Sequence, residues 1–409
     1  MLSLCYVAPG HALLSTSGST RNILAVASAL GEWADVTVVF RSIAEELPAQ
    51  GFRIQAIEPR ENAGQGARDD VAARGMNPFD HLGYLRRLRR FAAESAGSYD
   101  LVLEKGWRLS GYLASAFIDC GVAAVLIENA VHRWQEPIRS PRSLAKFLVH
   151  IAANRVSAAR SRNLPLIIAE TEQLKASLET RRRVSSQRIE VVGLGVDHTL
   201  FRPMPQDAAR AALGIPESKI VMLYVGGMDE YHDLSPLLEA LRNGRHADLE
   251  LHLVGEGEHR ARYEQAASAS NVPIRFHGRV PHVSVPEYIA ASDVCLAPYP
   301  SRKFHGGEVG FSTLKIPEYM ACARPVISVP SGHILSLIED QRTGFLFANE
   351  TGKWREFLAR FPSRGRLAEM GRAAAPSVEH LSWRSTAERY LELSRPLVAA
   401  RSAAQSRGA

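Results

Sequence analysis

Cysteine is scarce. Cys5, Cys120, Cys295 and Cys322 lie far apart in a 409-residue chain and show no CxxC spacing, which argues against a disulfide framework and a cysteine-built zinc site. Three of the four sit among apolar or small residues, where a free thiol serves as a small core side chain, and such usage suits a reducing cytosol. No run of apolar residues approaches the roughly 20 needed to span a bilayer, so the expectation is a soluble or at most peripheral protein. The opening segment Met1–Val7 lacks a basic region and is too short for a secretory signal, so a cytoplasmic location is expected, extending to the inner face of a membrane. No DxD stands near a strand end and no carboxylate pair of the glycosidase type is evident. A required divalent cation is therefore not expected, and no metal ligand is assigned. The pI of about 9.2 is all that favours nucleic acid, since aromatic stacking platforms and a groove-reading element are missing.

What is present reads as an ordinary globular interior. Hydrophobic residues make up 46% and charged residues 22%, and the length exceeds what one core usually organises, so two domains are expected. The net charge of +6 admits acidic ligands or an anionic membrane surface. Short apolar runs alternate with helical patterns, which predicts parallel sheets built from βαβ units. In the first half strands are predicted at 4–7, 35–40, 51–57, 101–104, 123–128, 165–169 and 188–192. Ile23, Val26, Ala27 and Leu30 recur at helical spacing between the first two. The pattern restarts with strands at 219–225, 249–254, 274–277, 294–298 and 325–329. Gly193–Asp197 through Pro203 is the best linker, combining Gly, Asp and Pro with lost periodicity. The fold class expected is α/β, two doubly wound Rossmann-like domains facing a cleft, divided as 1–195 and 196–382. A helix over 383–400 and a disordered tail over 401–409 complete the chain.

The most informative stretch runs from Gly310 to Ala321, between two apolar runs, and reads as loop into helix. A helix start presents unpaired N–H groups and a positive dipole end to an anion. Lys315 adds a point charge there, and Glu318 can accept hydrogen bonds from sugar hydroxyls. The plainer readings are a solvated loop lysine and a glutamate that merely complements the helix dipole. Pro317 removes one backbone donor from the first turn, where the loss is tolerated.

Several segments together resemble the retaining glycosyltransferases of the family-four type (glycosyl transferases group 1), which have the GT-B architecture. Leu314-Lys315 with Glu318-Tyr319-Met320-Ala321 is similar to the "PLKxxEYMA" donor motif. Leu253–Gly257 resembles "LVGxG", Phe276–Val280 the "FxGxV" loop that contacts the base, and Ser292-Asp293-Val294 ahead of Pro298 "ADVxxxP". Asp340 with Thr343–Leu346 resembles "DGxTGxL", and the linker "NGVDxxxFxP". Gly18 with Arg21-Asn22 is similar to the glycine-rich first loop, where a missing side chain lets backbone approach the donor phosphates. Glu104-Lys105, Asn129-Ala130 and Tyr231-His232-Asp233 are similar to the "ER", "ExNAP" and "WHG" segments of one subgroup. The chain departs from the pattern at the "GRLxxxKG" clamp, where Gly226–Asp233 holds neither the Arg nor the Lys. Gly310 stands where the paired-glutamate spacing has an acid, with Glu308 a substitute two residues earlier. Leu194 replaces the linker Asn, and the histidine after the "TxHD" strand aligns with Asn129 or its neighbours, His132 being the nearest histidine.

The resemblance implies transfer of a sugar from a nucleotide-sugar co-substrate, UDP- or GDP-linked, to a glycan, lipid-linked or small-molecule hydroxyl, with retention and without a resident cofactor. It assigns catalytic roles to Lys315, Glu308, His232 and Asn129. Donor binding falls to Gly18, Gly226, Gly227, Gly255, Arg279, Val280, Ser312, Thr313, Leu314, Lys315 and Glu318. The first domain would take the acceptor, the second the donor, and the 383–400 helix would pack back on the first. A nucleotide-sugar 2-epimerase and a catalytically inactive donor-binding homologue are the alternatives. Basic clusters at Tyr84–Phe91, Arg139–Arg162 and Arg181–Arg183 further suggest peripheral contact with anionic lipid, against the plainer reading of solvated helix faces.

Overall fold

The computed structural model describes residues 1–14, 18–45, 51–58, 78–131, 138–242, 248–300 and 309–408, with the side chains of 78–81 and 404–408 left aside. The chain divides into two compact units, one made of residues 1–194 and 383–409, the other of 195–382.

The first unit is built on a seven-stranded sheet: β1 (Leu2–Leu13), β2 (Ala34–Ile43), β3 (Arg53–Ala56), β4 (Leu101–Lys105), β5 (Ala123–Glu128), β6 (Ile167–Ala169) and β7 (Ile189–Val191), in the order β3-β2-β1-β4-β5-β6-β7. All neighbours pair in parallel. Along β1, Leu4, Tyr6 and Ala8 enter one core and Cys5 and Val7 the other. A strand covered on both faces reads as a continuous apolar run rather than an alternating one. Helix Gly18–Leu30 buries Ile23, Val26, Ala27 and Leu30, the stripe whose spacing predicts it.

Helix Trp383–Gly408 packs on the same side through Ala387, Tyr390 and Leu391. The disordered tail expected over 401–409 is corrected here, because the helix continues to Gly408. Alanine, arginine and glutamine in that stretch favour helix. Arg401 also donates to the carbonyls of Tyr99 (2.9 Å) and Asp100 (3.3 Å), which ties the last turns to the unit.

The second unit carries six strands: β8 (Ile220–Val225), β9 (Leu249–Val254), β10 (Ile274–Gly278), β11 (Val294–Ala297), β12 (Val326–Ser328) and β13 (Gly344–Leu346), ordered β10-β9-β8-β11-β12-β13 and all parallel. The predicted set omits β13. It is three residues long, opens on glycine and follows a turn, so it has no period to read. In each sheet the order reverses once, beside β1 and β4 in the first and beside β8 and β11 in the second. Connections diverge at such a point and leave a crevice beyond the strands' carboxyl ends.

Candidate active site

Lys315 opens the helix Lys315–Ala321 beside the β8/β11 reversal. Its ammonium lies 4.5 Å from the centroid of the Tyr224 ring and 5.9 Å from that of Tyr299. The Tyr224 hydroxyl stands 3.3 Å from Nζ and donates to the Gly227 carbonyl. Burial lowers the Lys315 pKa to about 7, against the opposing fields of Asp229 and Glu318. It forms no ion pair among the described residues. The helix is fixed to the end of β8 by Tyr319, whose hydroxyl accepts from the Val225 N–H at 2.8 Å.

Glycine at 226 is favoured by its backbone and leaves room for the lysine. Its φ is 148°, and a Cβ there would sit 2.6 Å from Lys315 Nζ. Gly255 has φ 132°, and a Cβ would meet the Gly226 carbonyl oxygen at 1.9 Å. The Gly255 N–H in turn donates to the Gly278 carbonyl at 2.7 Å. Backbone therefore lies on backbone across the ends of three adjacent strands, leaving peptide groups rather than side chains at the rim.

His232 shares this pocket, 5.4 Å from Tyr299 and 6.1 Å from Tyr224 between ring centroids. Its Nδ1 lies 3.0 Å from Asp229 Oδ1. Burial and the Lys315 charge bring its pKa down to about 4, against the pull of Asp229. The ring is thus neutral near pH 7. With a carboxylate facing Nδ1, that nitrogen carries the proton and Nε2 is the acceptor. Burial raises the Asp229 pKa, but the His232 hydrogen bond and the Tyr231 N–H bring it below the ordinary value.

The remaining assigned residues of this unit spread around the lysine. Gly227 is pressed by Asp229, whose Oδ2 lies 2.8 Å from the Cβ position. Thr313 Oγ1 accepts from the Ile316 N–H at 3.4 Å and so caps the helix start, with Ser312 and Leu314 half-buried on either side. Glu318 is 3.8 Å from His282 Nε2, and His282 stacks edge-on against Phe201. Arg279 is exposed after β10, while Val280 is half-buried against the core. Glu308 and His132 lie outside the described residues. Tyr224, Tyr299 and Asp229, which form the walls, were not assigned from sequence. Asp229 falls within the glycine-led segment after β8, and Tyr299 directly follows Pro298, but an aromatic beside a lysine carries no readable spacing.

In the first unit, Asn129 directly follows β5 and is half-buried, and its Oδ1 is 3.0 Å from the Cβ position of Gly106. Gly18 begins its helix, and among the described residues nothing outside its own helix backbone lies within 4 Å of a Cβ position. Around the β4, β5 and β6 ends lies a closed polar network. Buried Glu104 accepts from Trp107 Nε1 (2.8 Å), Gly111 N (3.0 Å) and Ala114 N (2.6 Å). Glu128 pairs with Arg182 and accepts from Ser110 at 3.2 Å. Lys105 pairs with Glu170 at 2.5 Å. Arg182 is therefore no part of an exposed basic cluster, which corrects the grouping of Arg181–Arg183. Among the described residues, no group of three or more His, Cys, Asp or Glu is placed to hold a metal ion.

A family model for glycosyl transferases group 1 matches residues 219–360, and one for glycosyltransferase family 4 matches 36–200. The chain is a glycosyltransferase with group 1 and family 4 domains. Among its relatives, the D-inositol 3-phosphate glycosyltransferase of Nocardioides sp. is 26% identical over 418 residues, covering 89% of this chain and 86% of that protein. That of Arthrobacter sp. is 28% identical over 239 residues, 55% of this chain and 54% of its own length, so the match takes in about half of each. Anabaena HepE, solved in complex with UDP-glucose, shares the GT-B fold with a TM-score of 0.67 at 15% identity, covering 96% of this glycosyltransferase and 99% of that chain.

Proposed function

We propose that this glycosyltransferase moves a sugar from a nucleoside-diphosphate donor, UDP- or GDP-linked, onto a hydroxyl acceptor with retention of configuration and without a bound metal. One observation carries the reading: a lysine with no ion-pair partner among the described residues stands in an aromatic-walled crevice whose rim is peptide backbone. A diphosphate supplies the missing negative charge. Lys315 and the peptide N–H groups stabilise the charge that grows on the departing phosphate, which is where preorganised donors lower a barrier most. Glu318, one turn along, accepts from the ribose hydroxyls, and Arg279-Val280 border the base. The sugar C1–O bond to phosphate breaks and the acceptor oxygen bonds to C1 on the same face. The acceptor proton passes to the departing phosphate oxygen, so no protein nucleophile is needed.

A thermal-shift screen against UDP-, GDP-, dTDP- and ADP-sugars tests the donor, since a ligand held by the folded state alone raises its stability by mass action. One nucleotide class is expected to raise the melting temperature in the parent protein and in an Asp207→Asn control on a distant helix, but only weakly in Glu318→Ala. No shift from any donor would refute the reading. An acceptor panel that includes D-inositol 3-phosphate, named for the relatives, then separates transfer from donor binding alone, and donor epimerised without acceptor would show an isomerase instead.

A further inference from the structure

The helix Pro141–Ser161 is amphipathic the wrong way round. A surface helix normally buries its apolar stripe and shows its polar face. Here the buried face is His150, Ala153, Ser157 and Ser161. Ser157 donates to the Ser110 carbonyl at 3.0 Å, and Ser161 Oγ accepts from Arg182 at 3.3 Å. The outward face carries Leu144, 45% exposed, and Leu148, 57% exposed, with Val156 and Ala152 on the same side. The helix is firmly built, with a Ser140/Ser143 capping box and proline in its first turn. Its exposed leucines are therefore a property of a formed helix rather than of a frayed end.

Charge says what covers this face. Between Glu136 and Glu170 the sequence has no acidic residue, while Arg139, Arg142, Lys146, Arg155, Arg160 and Arg162 are all basic. Helix Pro78–Ser95 extends the surface. Arg160 and, from that second helix, Arg89 each stand 5.6 Å from the Tyr112 ring, so the two helices flank one residue. The second helix exposes Leu82, at 56%, and Arg86 one turn on. A symmetric pair of copies would bring like-charged rims together, and nucleic acid would leave the leucines without a function. An anionic bilayer satisfies both sets of groups, since acyl chains take the leucines and phosphate headgroups take the cations.

We infer that the Pro141–Ser161 helix, with Leu82 and the arginines of its neighbour, is a docking surface for an anionic lipid bilayer, on which the protein lies without spanning it. No described helix is long and apolar enough to cross a membrane. The inference stands apart from the donor site and goes beyond the transfer reaction.

Flotation of the full-length protein with vesicles tests it, using phosphatidylcholine alone and phosphatidylcholine mixed with phosphatidylglycerol. The protein is expected to float with the mixed vesicles and not with the neutral ones, less so as salt rises. A Leu144→Gln, Leu148→Gln double variant should lose about tenfold or more in partitioning at an unchanged melting temperature. Arg142→Gln and Arg155→Gln should each lose about fivefold. Equal flotation on neutral vesicles, undiminished flotation of the leucine variant, or no flotation at all would overturn the inference. So would a dimer in solution that the leucine variant abolishes.

Discussion

The two sheets reverse strand order in the same way and equip their strand ends oppositely. At the β4–β6 ends of the first unit the chain answers its own charges. Glu104 takes three N–H donors, Glu128 takes Arg182, and Lys105 takes Glu170. Burial pulls the Lys105 pKa down, and Glu170 more than offsets it, leaving the lysine firmly charged. At the β8/β11 reversal of the second unit, Lys315 has two tyrosine faces and no ion pair among the described residues, and burial pulls its pKa down to about 7 against the fields of Asp229 and Glu318. A neutralised network holds its loops in one arrangement, whereas an unanswered cation costs stability until an anion arrives. Conserved architecture thus says little about where binding occurs, and the charge balance at the strand ends says more.

The comparison breaks most visibly if the first network is opened. Arg182→Met leaves Glu128 buried without its cation and should cost about 3–5 kcal/mol, read by denaturant unfolding. A loss under about 1 kcal/mol would mean the pair is no structural unit.

Lys315→Met should do the reverse. Turnover, as kcat/KM, falls about 10²- to 10³-fold, while the donor-free protein melts a few degrees higher. The sign follows from protonation. The unfolded chain keeps this proton up to about 10.5 and the folded site releases it near 7. The penalty is therefore full below pH 7 and fades as pH rises to 10.5, and the gain from the methionine should shrink over that window. For the parent enzyme, kcat/KM should decline as pH rises past about 7, where free Lys315 loses its charge. A flat profile would separate the lysine from the chemistry.

The smallest effect expected is at His232. His232→Gln removes one neutral acceptor beside the lysine, and donor affinity should weaken about fivefold by calorimetry. The variant should also be less sensitive to mild acid, because the parent must protonate a histidine held near 4 when folded and near 6.5 when unfolded, and so loses stability as pH falls through that interval.

Much of this was readable in one dimension. Strands covered on both faces announce themselves as apolar runs, as along β1 and β8, and helix Gly18–Leu30 announces itself by Ile23, Val26, Ala27 and Leu30. Lys315 and Gly226 were legible because a loop running into a helix and a glycine after a strand are local features. The cage was not, since Tyr224 and Asp229 come from the end of β8 and Tyr299 from the end of β11, which meet only through the β8/β11 pairing. Arg182 looked like its exposed neighbours because nothing in a triple arginine marks the one that turns inward toward Glu128. The inverted helix was half visible. Its arginines stood out in sequence, while the outward turn of Leu144 and Leu148 depends on Ser157 and Ser161 finding partners inside.

The C-terminal helix has a consequence for how this protein is made. Its 26 residues complete the core of the unit that begins the chain. On the ribosome, the residues 195–382 can close their own sheet while the opening 194 still wait for the last segment to emerge. The unit of residues 1–194 is therefore completed after that of 195–382, and a premature stop near residue 382 would spare the second unit and leave the other unfinished.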